Sequence, residues 1–372
     1  MNWNLIITDD CNLCCTYCRG KMYGTCRSTD PGIAIDDTPP PDLSVDPAIL
    51  YSFLARDPEA TLTFYGGEPL LRSDLVEMII TEAPVKRFLL HTNGICLPSL
   101  DPALVQRFET IFVSIDGPEA LTDLYRGPGT FRRAMDGVRY AEDAGFTGEL
   151  IARMTVAEAT DIEAAVRYLA GNESCPFSSI HWQMDANFWD DFGLRSFAPW
   201  VHNSYNPGIR RLVRAWLDIM RSEGRVPKWY PFLVTAEDLL LGKQSPLRCG
   251  SGHANYTIMT DGTIIPCPCM IGMRDYYLGH IATADPRGLP TVPVEGDCTI
   301  CSLFEFCGGR CLYSNILRPW PDEGRKLVRC TVENLQGAIN GVLPEIRALI
   351  SEGRIASADF HHEKYQGCEV IP

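Results

Sequence analysis

Six short apolar runs, each closing on polar or glycine residues, constrain the fold of this chain more than any other feature. They are NWNLIIT (2–8), ATLTFYGGEP (60–69), VKRFLLHTNG (85–94), ETIFVSIDG (109–117), GELIARMTV (148–156) and SSIHWQMD (178–185). Amphipathic helical patterns lie between them, starting at Ser73, Pro102, Phe131 and Asp161, with Gly145 stopping the third. Such βα alternation predicts an α/β fold with parallel strands, and it places chemistry at the carboxyl ends of those strands. The barrel-like repeat is expected over residues 1–200.

After Asp185 the rhythm stops. Residues 201–245 read as a helical linker in which Ile209, Leu212, Val213, Trp216 and Met220 share one face between Pro207 and Gly224. Residues 246–335 form a second, small domain rich in Cys, Gly and Pro, where Asp261-Gly262 suits a two-residue hairpin turn. A helix is expected from Thr331, and residues 336–372 are its continuation and a tail, with His361-His362 in the exposed tail. Residues 19–45 read as a long irregular loop.

A net charge of −14 removes nucleic acid as a partner, because a polyanion surface needs clustered Lys and Arg. No apolar run reaches the roughly 18 residues that span a bilayer. The first ten residues carry no basic segment or cleavage site, so the expected compartment is the cytoplasm. In a reducing compartment sixteen cysteines are anomalous, since thiols kept there bind metal or do chemistry.

Those cysteines cluster. Cys11, Cys14, Cys15 and Cys18 form one group, Cys249, Cys267 and Cys269 a second, and Cys298, Cys301, Cys307, Cys311 and Cys330 a third, whereas Cys26, Cys96, Cys175 and Cys368 are isolated. Zinc and iron–sulfur clusters are the two ligand readings. Zinc sites recruit paired C-x2-C knuckles, a form that Cys15-x2-Cys18 and Cys298-x2-Cys301 have. Cys11-x3-Cys15-x2-Cys18 offers three thiolates from one short loop, and three leave one iron of a [4Fe–4S] cube without a protein ligand. Taking Cys14 in place of Cys15 breaks that x3/x2 spacing.

The three-cysteine loop after a first strand, followed by Gly66-Gly67-Glu68-Pro69 after a second, resembles the radical S-adenosylmethionine (SAM) superfamily. The resemblance implies a partial (β/α)6 barrel in which Cys11, Cys15 and Cys18 hold a [4Fe–4S] cluster and SAM chelates the fourth iron. In that family an electron from the cluster cleaves SAM to methionine and a 5′-deoxyadenosyl radical, which takes a hydrogen atom from substrate. By motif, Tyr17 lies near the adenine, and Gly66, Gly67, Glu68 and Pro69 receive the SAM amino group. Ser114, Asp116 and Arg153 are candidates for its ribose and carboxylate. DLYRGPGTF (123–131) resembles the segment after the fourth strand in peptide-modifying members.

Cys249-x12-Gly262-x4-Cys267, then Cys298-x2-Cys301-x5-Cys307-x3-Cys311, then Cys330, resembles the seven-cysteine SPASM domain, which implies two auxiliary [4Fe–4S] clusters and three in all. The family's interleaved pattern gives Cys249, Cys267 and Cys311 to auxiliary cluster I, and Cys298, Cys301, Cys307 and Cys330 to cluster II. Residues 243–248 contain no upstream cysteine, so cluster I is either open or closed by Cys269. With the first strand starting at residue 2 or 3, a fused leader-binding domain has no room ahead of the barrel, and neither has a cobalamin domain.

The implied function is maturation of a ribosomal peptide or protein: hydrogen abstraction from one residue, then oxidation to a thioether, a carbon–carbon cross-link or a carbonyl, with the electron returned to the auxiliary clusters. Asp185, two residues past Gln183, is the candidate base, since alternate residues there face one way. His91 is a second substrate-facing candidate. The implied partners are the peptide or protein substrate, an electron donor such as ferredoxin or flavodoxin, and a separate leader-peptide-binding protein. The alternatives are a redox-neutral epimerase using Cys96 or Cys269 as hydrogen donor, a formylglycine-forming maturase, and, outside enzymes, an iron–sulfur electron carrier or a structural zinc protein.

Overall fold

The computed structural model describes residues 1–18, 35–172, 176–186, 188–244 and 247–367. Cys26, Cys175, Cys368 and most of the 19–45 segment lie outside the described residues. The chain forms two compact units that interleave in sequence: residues 1–153, 174–176 and 250–293 make the first, and residues 154–173, 177–249 and 294–372 the second.

All six apolar runs are strands: β1 (Asn2–Thr8), β2 (Thr61–Gly66), β3 (Arg87–Thr92), β4 (Phe108–Ser114), β5 (Glu149–Val156) and β6 (Ser179–Met184). Three short strands follow, β7 (Asn255–Ile258), β8 (Thr263–Ile265) and β9 (Gly279–His280). In the first unit the order is β5-β4-β3-β2-β1-β7-β8-β9, parallel from β5 to β7 and antiparallel beyond. The sheet does not close on itself, so the α/β partial barrel expected from the βα rhythm is the fold. Parallel strands covered on both faces become continuously apolar, which is why Leu5, Ile6 and Ile7, and likewise Phe88, Leu89 and Leu90, are all buried.

The Cys-rich segment begins by extending this sheet. β7 pairs with β1 on the side away from β2, and Asn4 Nδ2 donates to Asn255 Oδ1 at 2.7 Å. The β7–β8 turn is longer than the two residues expected: Met259 N donates to Thr263 O and Gly262 N to Met259 O, leaving Thr260, Asp261 and Gly262 in the loop. Gly262 takes φ +91°, the left-handed conformation that ends a three-residue hairpin. Residues 35–45 return along β1, where Leu43 N donates to Ile7 O and Asp9 N to Pro41 O.

In the second unit β6 continues from the end of β5, with Asp185 N donating to Val156 O. The helix Asn206–Glu223 buries Ile209, Leu212, Val213, Trp216 and Met220, the stripe read from its periodicity, and packs against the helix Asp322–Ser351. That last helix starts nine residues before the expected Thr331. Pro321 precedes it and Asp322 and Glu323 fill its first turn, where carboxylates favour the helix dipole. Cys330 therefore sits inside a helix and not in the loop before one. The tail also differs: His362 is buried with Nδ1 3.0 Å from Glu237 Oε2, while His361 alone is exposed. No helix among the described residues is long and apolar enough to cross a membrane.

Candidate active site

The thiol loop leaves β1 at its carboxyl end and is fastened to the next strand by backbone alone. Gly67 N donates to Thr8 O and Glu68 N to Asp10 O, both at 2.8 Å. The two chains run so close that a Cβ on Gly66 would stand 2.2 Å from Thr8 O, and one on Gly67 would stand 2.1 Å from Asp10 O. Gly66 also has φ +144°, open only to glycine at little cost. The glycine pair is thus required for the first thiol, Cys11, to begin where it does. Asn93 Nδ2 donates to Asn12 Oδ1 at 2.7 Å, which ties the loop to the end of β3 as well.

Within the loop Cys18 N donates to Cys15 O and Leu13 N approaches Cys11 Sγ at 3.4 Å, so the three thiols lie in two tight turns. Cys14 is exposed. Burial pushes the Cys15 thiol up to about 12, Arg126 opposing and Cys18, Asp116 and Cys11 reinforcing the rise. Thiols this close ionise together only when metal replaces their protons, and a sulfur-only donor set fits a [4Fe–4S] cluster. Among the described residues no three His, Cys, Asp or Glu side chains converge as ligands to a single ion. Thiolates on separate corners of a cube stand farther apart than that.

Glu68 is fully buried, and its carboxylate holds the turn. It accepts from Leu70 N at 3.1 Å, from Thr92 Oγ1 at 2.8 Å and from Asn93 N at 2.7 Å. Burial raises its pKa to about 7 against those three bonds. Below pH 4.5 the group is protonated folded or unfolded; as pH rises to about 7 only the unfolded chain ionises, so the stability it contributes is lost across that interval. We expect the stability difference between the metal-free protein and its Glu68→Gln variant in urea to be larger near pH 5 than near pH 8, by about 3 kcal/mol at most. A difference that does not change with pH would contradict this.

Beyond β4 the Asp116 carboxylate, also fully buried, takes both arms of Arg126 at 2.8 Å and the Tyr17 hydroxyl at 2.6 Å. Arg126 lies 5.5 Å over the Tyr17 ring, Tyr125 packs on Tyr17 at 5.5 Å, and Thr16 N donates to Tyr125 O. Asp116 and Tyr17, read from the motif as cofactor contacts, are thus joined to each other. The helix Glu119–Arg126 that supplies the arginine anchors the last two thiols. Arg126, Asn12 and Asn93 escaped the sequence reading. The YRG of 125–127 and the HTNG closing β3 were their only signals.

One face of the first unit's sheet carries a row of side chains. Tyr65, His91 and Phe112 are register partners or stacked neighbours: His91 lies 4.0 Å from Phe112 and 5.1 Å from Tyr65. Arg153 extends over Phe112 at 5.8 Å and pairs in register with Ser114, both half-buried. The Tyr65 hydroxyl is raised to about 12 by burial, with Arg153 opposing and Cys269, Cys267 and Cys18 adding to the rise. Cys269 N donates to Cys267 Sγ at 3.4 Å. Cys96, after β3, receives the Asn12 amide at 3.5 Å.

In the second unit a cavity of about 480 Å³ is lined by Cys298, Cys301, Cys307 and Cys311 together with Arg310. Cys330 is not on its wall; Asn206 Nδ2 donates to its sulfur at 3.5 Å. Cys249 belongs to the second unit, and Cys267 and Cys269 to the first. Asp185 is buried and ion-paired with Arg195 at 2.8 Å, an arginine that also clasps Glu158 at 2.6 and 2.8 Å.

Residues 5–165 match the Radical SAM superfamily. The AdoMet-dependent heme synthase of Nitratidesulfovibrio vulgaris is 32% identical over 162 residues, 40% of this chain and 39% of that protein. A probable GTP 3′,8-cyclase of Methanosarcina mazei is 28% identical over 148 residues, 38% of this chain and 41% of that protein. The chain thus spans about two fifths of the length of the curated relatives it matches. Among solved structures, native anSMEcpe with bound AdoMet and the Cp18Cys peptide superposes with a TM-score of 0.62 at 18% identity, over 92% of this chain and 100% of that one. Streptococcus suis SuiB bound to precursor peptide SuiA gives 0.52 at 17%, over 85% and 72%. These structures share the fold along most of the chain's length. The family match lies on the thiol loop and the strands that position it, so residues 5–165 are similar to a radical SAM domain.

Proposed function

We propose that this chain is a radical SAM enzyme of the SPASM type and removes two hydrogens from a residue of a peptide or protein, forming a thioether, a carbon–carbon cross-link or a related oxidised product. The observation that carries the reading is the second set of thiols, four of them on one cavity with a buried arginine, in a chain whose first thiol loop already suffices for SAM. Two peptide-bound proteins share its fold over most of its length, which supports a peptide substrate. The heme synthase and the GTP cyclase match over two fifths of the chain only.

A cluster and SAM, when bound, supply hydrogen-atom abstraction from an unactivated C–H bond. In this proposal Cys11, Cys15 and Cys18 hold the first cluster, and the Gly66–Gly67 turn offers backbone to the SAM ammonium. Glu68, and the Asp116–Arg126 pair with Tyr17, keep that cradle in place, while Ser114 and Arg153 face the ribose and carboxylate. Loss of the second hydrogen, as a proton and an electron, needs a base and an acceptor. Asp185 is the base, and Cys249, Cys267 and Cys311, with Cys298, Cys301, Cys307 and Cys330, hold the auxiliary clusters that accept the electron. Cluster I either keeps an open iron or is closed by Cys269, whose N–H donates to Cys267 Sγ at 3.4 Å.

The test is incubation of the iron-loaded, reduced protein with SAM and pools of cysteine- and aromatic-containing peptides. The expected result is 5′-deoxyadenosine together with peptides lighter by two hydrogens. Turnover supported only by a nucleotide or a tetrapyrrole, or deuterium entering Cα with no mass loss, would overturn the oxidative peptide reading.

A further inference from the structure

Arg310 is the least explained charge in the second unit. Its side chain lines the thiol cavity, the residue is only 6% exposed, and its Nε has no hydrogen-bond partner among the described residues. Of the other cations on that wall, Arg325 pairs with Asp322, Arg329 with Glu333 at 2.9 Å and Arg318 with Asp297 at 3.9 Å, and Lys326 is exposed to solvent. Among the described residues no carboxylate is paired with Arg310. A buried guanidinium without an anion is costly, so the cavity is built to receive negative charge beside it.

The backbone supports the same conclusion. Gly308, Gly309 and Arg310 follow one another with φ of +65°, +89° and +58°. The glycines take this freely, but a residue with a Cβ pays about 1 kcal/mol for it. A third glycine would be the relaxed choice, and an arginine is present. The turn sets Arg310 between Cys307 and Cys311, with its N–H donating to Cys307 O at 3.2 Å.

We infer that Arg310 is the fixed counter-charge of the iron–sulfur cluster to which Cys298, Cys301 and Cys307 on the cavity wall contribute, and that it raises that cluster's reduction potential so that it accepts an electron readily. The inference rests on reading the cavity as an auxiliary-cluster site. A thiolate-held cluster gains one further negative charge on reduction, so a cation fixed nearby in a low-dielectric wall stabilises the reduced form more than the oxidised one. Arg310 touches neither SAM nor substrate in this account and acts only through the cluster.

The experiment is a redox titration of the iron-loaded full chain followed by electron paramagnetic resonance, with iron counted in the same samples. The component lost in a Cys298→Ala/Cys301→Ala variant identifies the cavity's cluster. In Arg310→Gln that component should titrate at a more negative potential than in the wild type. In Arg310→Lys, which keeps the charge, it should stay close to the wild-type value, and the other components should not move. An unchanged potential in Arg310→Gln overturns the inference and leaves the cluster reading intact. If no component disappears in the double-cysteine variant, the cluster reading itself is wrong. If Arg310→Gln sheds this cluster's iron alone, retention in Arg310→Lys supports the role of charge, and loss in both overturns it.

Discussion

Alanine at Gly67 is expected to cut 5′-deoxyadenosine formation from SAM by about 100-fold or more and to lower the iron bound by the N-terminal thiols. The added Cβ would meet Asp10 O at 2.1 Å and Asp9 O at 2.6 Å, and both are backbone atoms with no rotamer to turn aside. Either the Thr8–Asp10 segment moves out, carrying Cys11 with it, or β2 gives up the hydrogen bonds from Gly67 N and Glu68 N. Displacement of a reacting group by about 1 Å is enough for a loss of that size. The check is product formation and iron content for Gly67→Ala beside Gly337→Ala, a helical glycine with open space around its Cβ position. If Gly67→Ala loads iron and cleaves SAM as the wild type does, the glycine turn does not position the thiol loop.

The second large effect is on stability. Removing Arg126 leaves the Asp116 carboxylate fully buried without its guanidinium, the Tyr17 hydroxyl still donating to it. Breaking a buried ion pair from one side costs about 3–5 kcal/mol, because the orphaned charge stays in a medium that cannot solvate it. Arg126→Met should therefore lower the melting temperature by roughly 10 °C. Arg126→Met/Asp116→Asn should recover part of that loss, since the second change removes the uncompensated charge. A double variant less stable than Arg126→Met by the full cost of Asp116→Asn alone would mean the two groups are not coupled. The same arginine favours the Cys15 thiolate, so Arg126→Met should also bind iron more weakly.

Much of this architecture was legible because the features that set it are local. Six apolar runs became six strands, since a strand covered on both faces must be apolar throughout, as in ETIFVSIDG. The thiol loop and the glycine turn were legible because both are contiguous motifs. What hid from the sequence is what depends on distant partners. Glu68 and Asp116 read as cofactor contacts, yet each is fully buried and bonded to the chain itself, Asp116 to an arginine ten residues on. The pairing of β7 with β1 joins residues about 250 apart and leaves no local trace. The helix containing Cys330 began early because its start lies among charged residues that mask the apolar period. His362 looked like tail, and only the buried Glu237 explains its place.

Which three thiols of the first loop hold the cluster is decided most directly by single alanine variants. Cys11→Ala, Cys15→Ala, Cys18→Ala and Cys14→Ala should each be loaded with iron, reduced and given SAM, with 5′-deoxyadenosine measured against the wild type. The predicted result is turnover at the no-enzyme level for the first three and retained turnover for Cys14→Ala, whose thiol falls outside the x3/x2 spacing. Retained turnover in Cys15→Ala together with its loss in Cys14→Ala would contradict the assignment, and with it the vacant iron on which SAM binding depends.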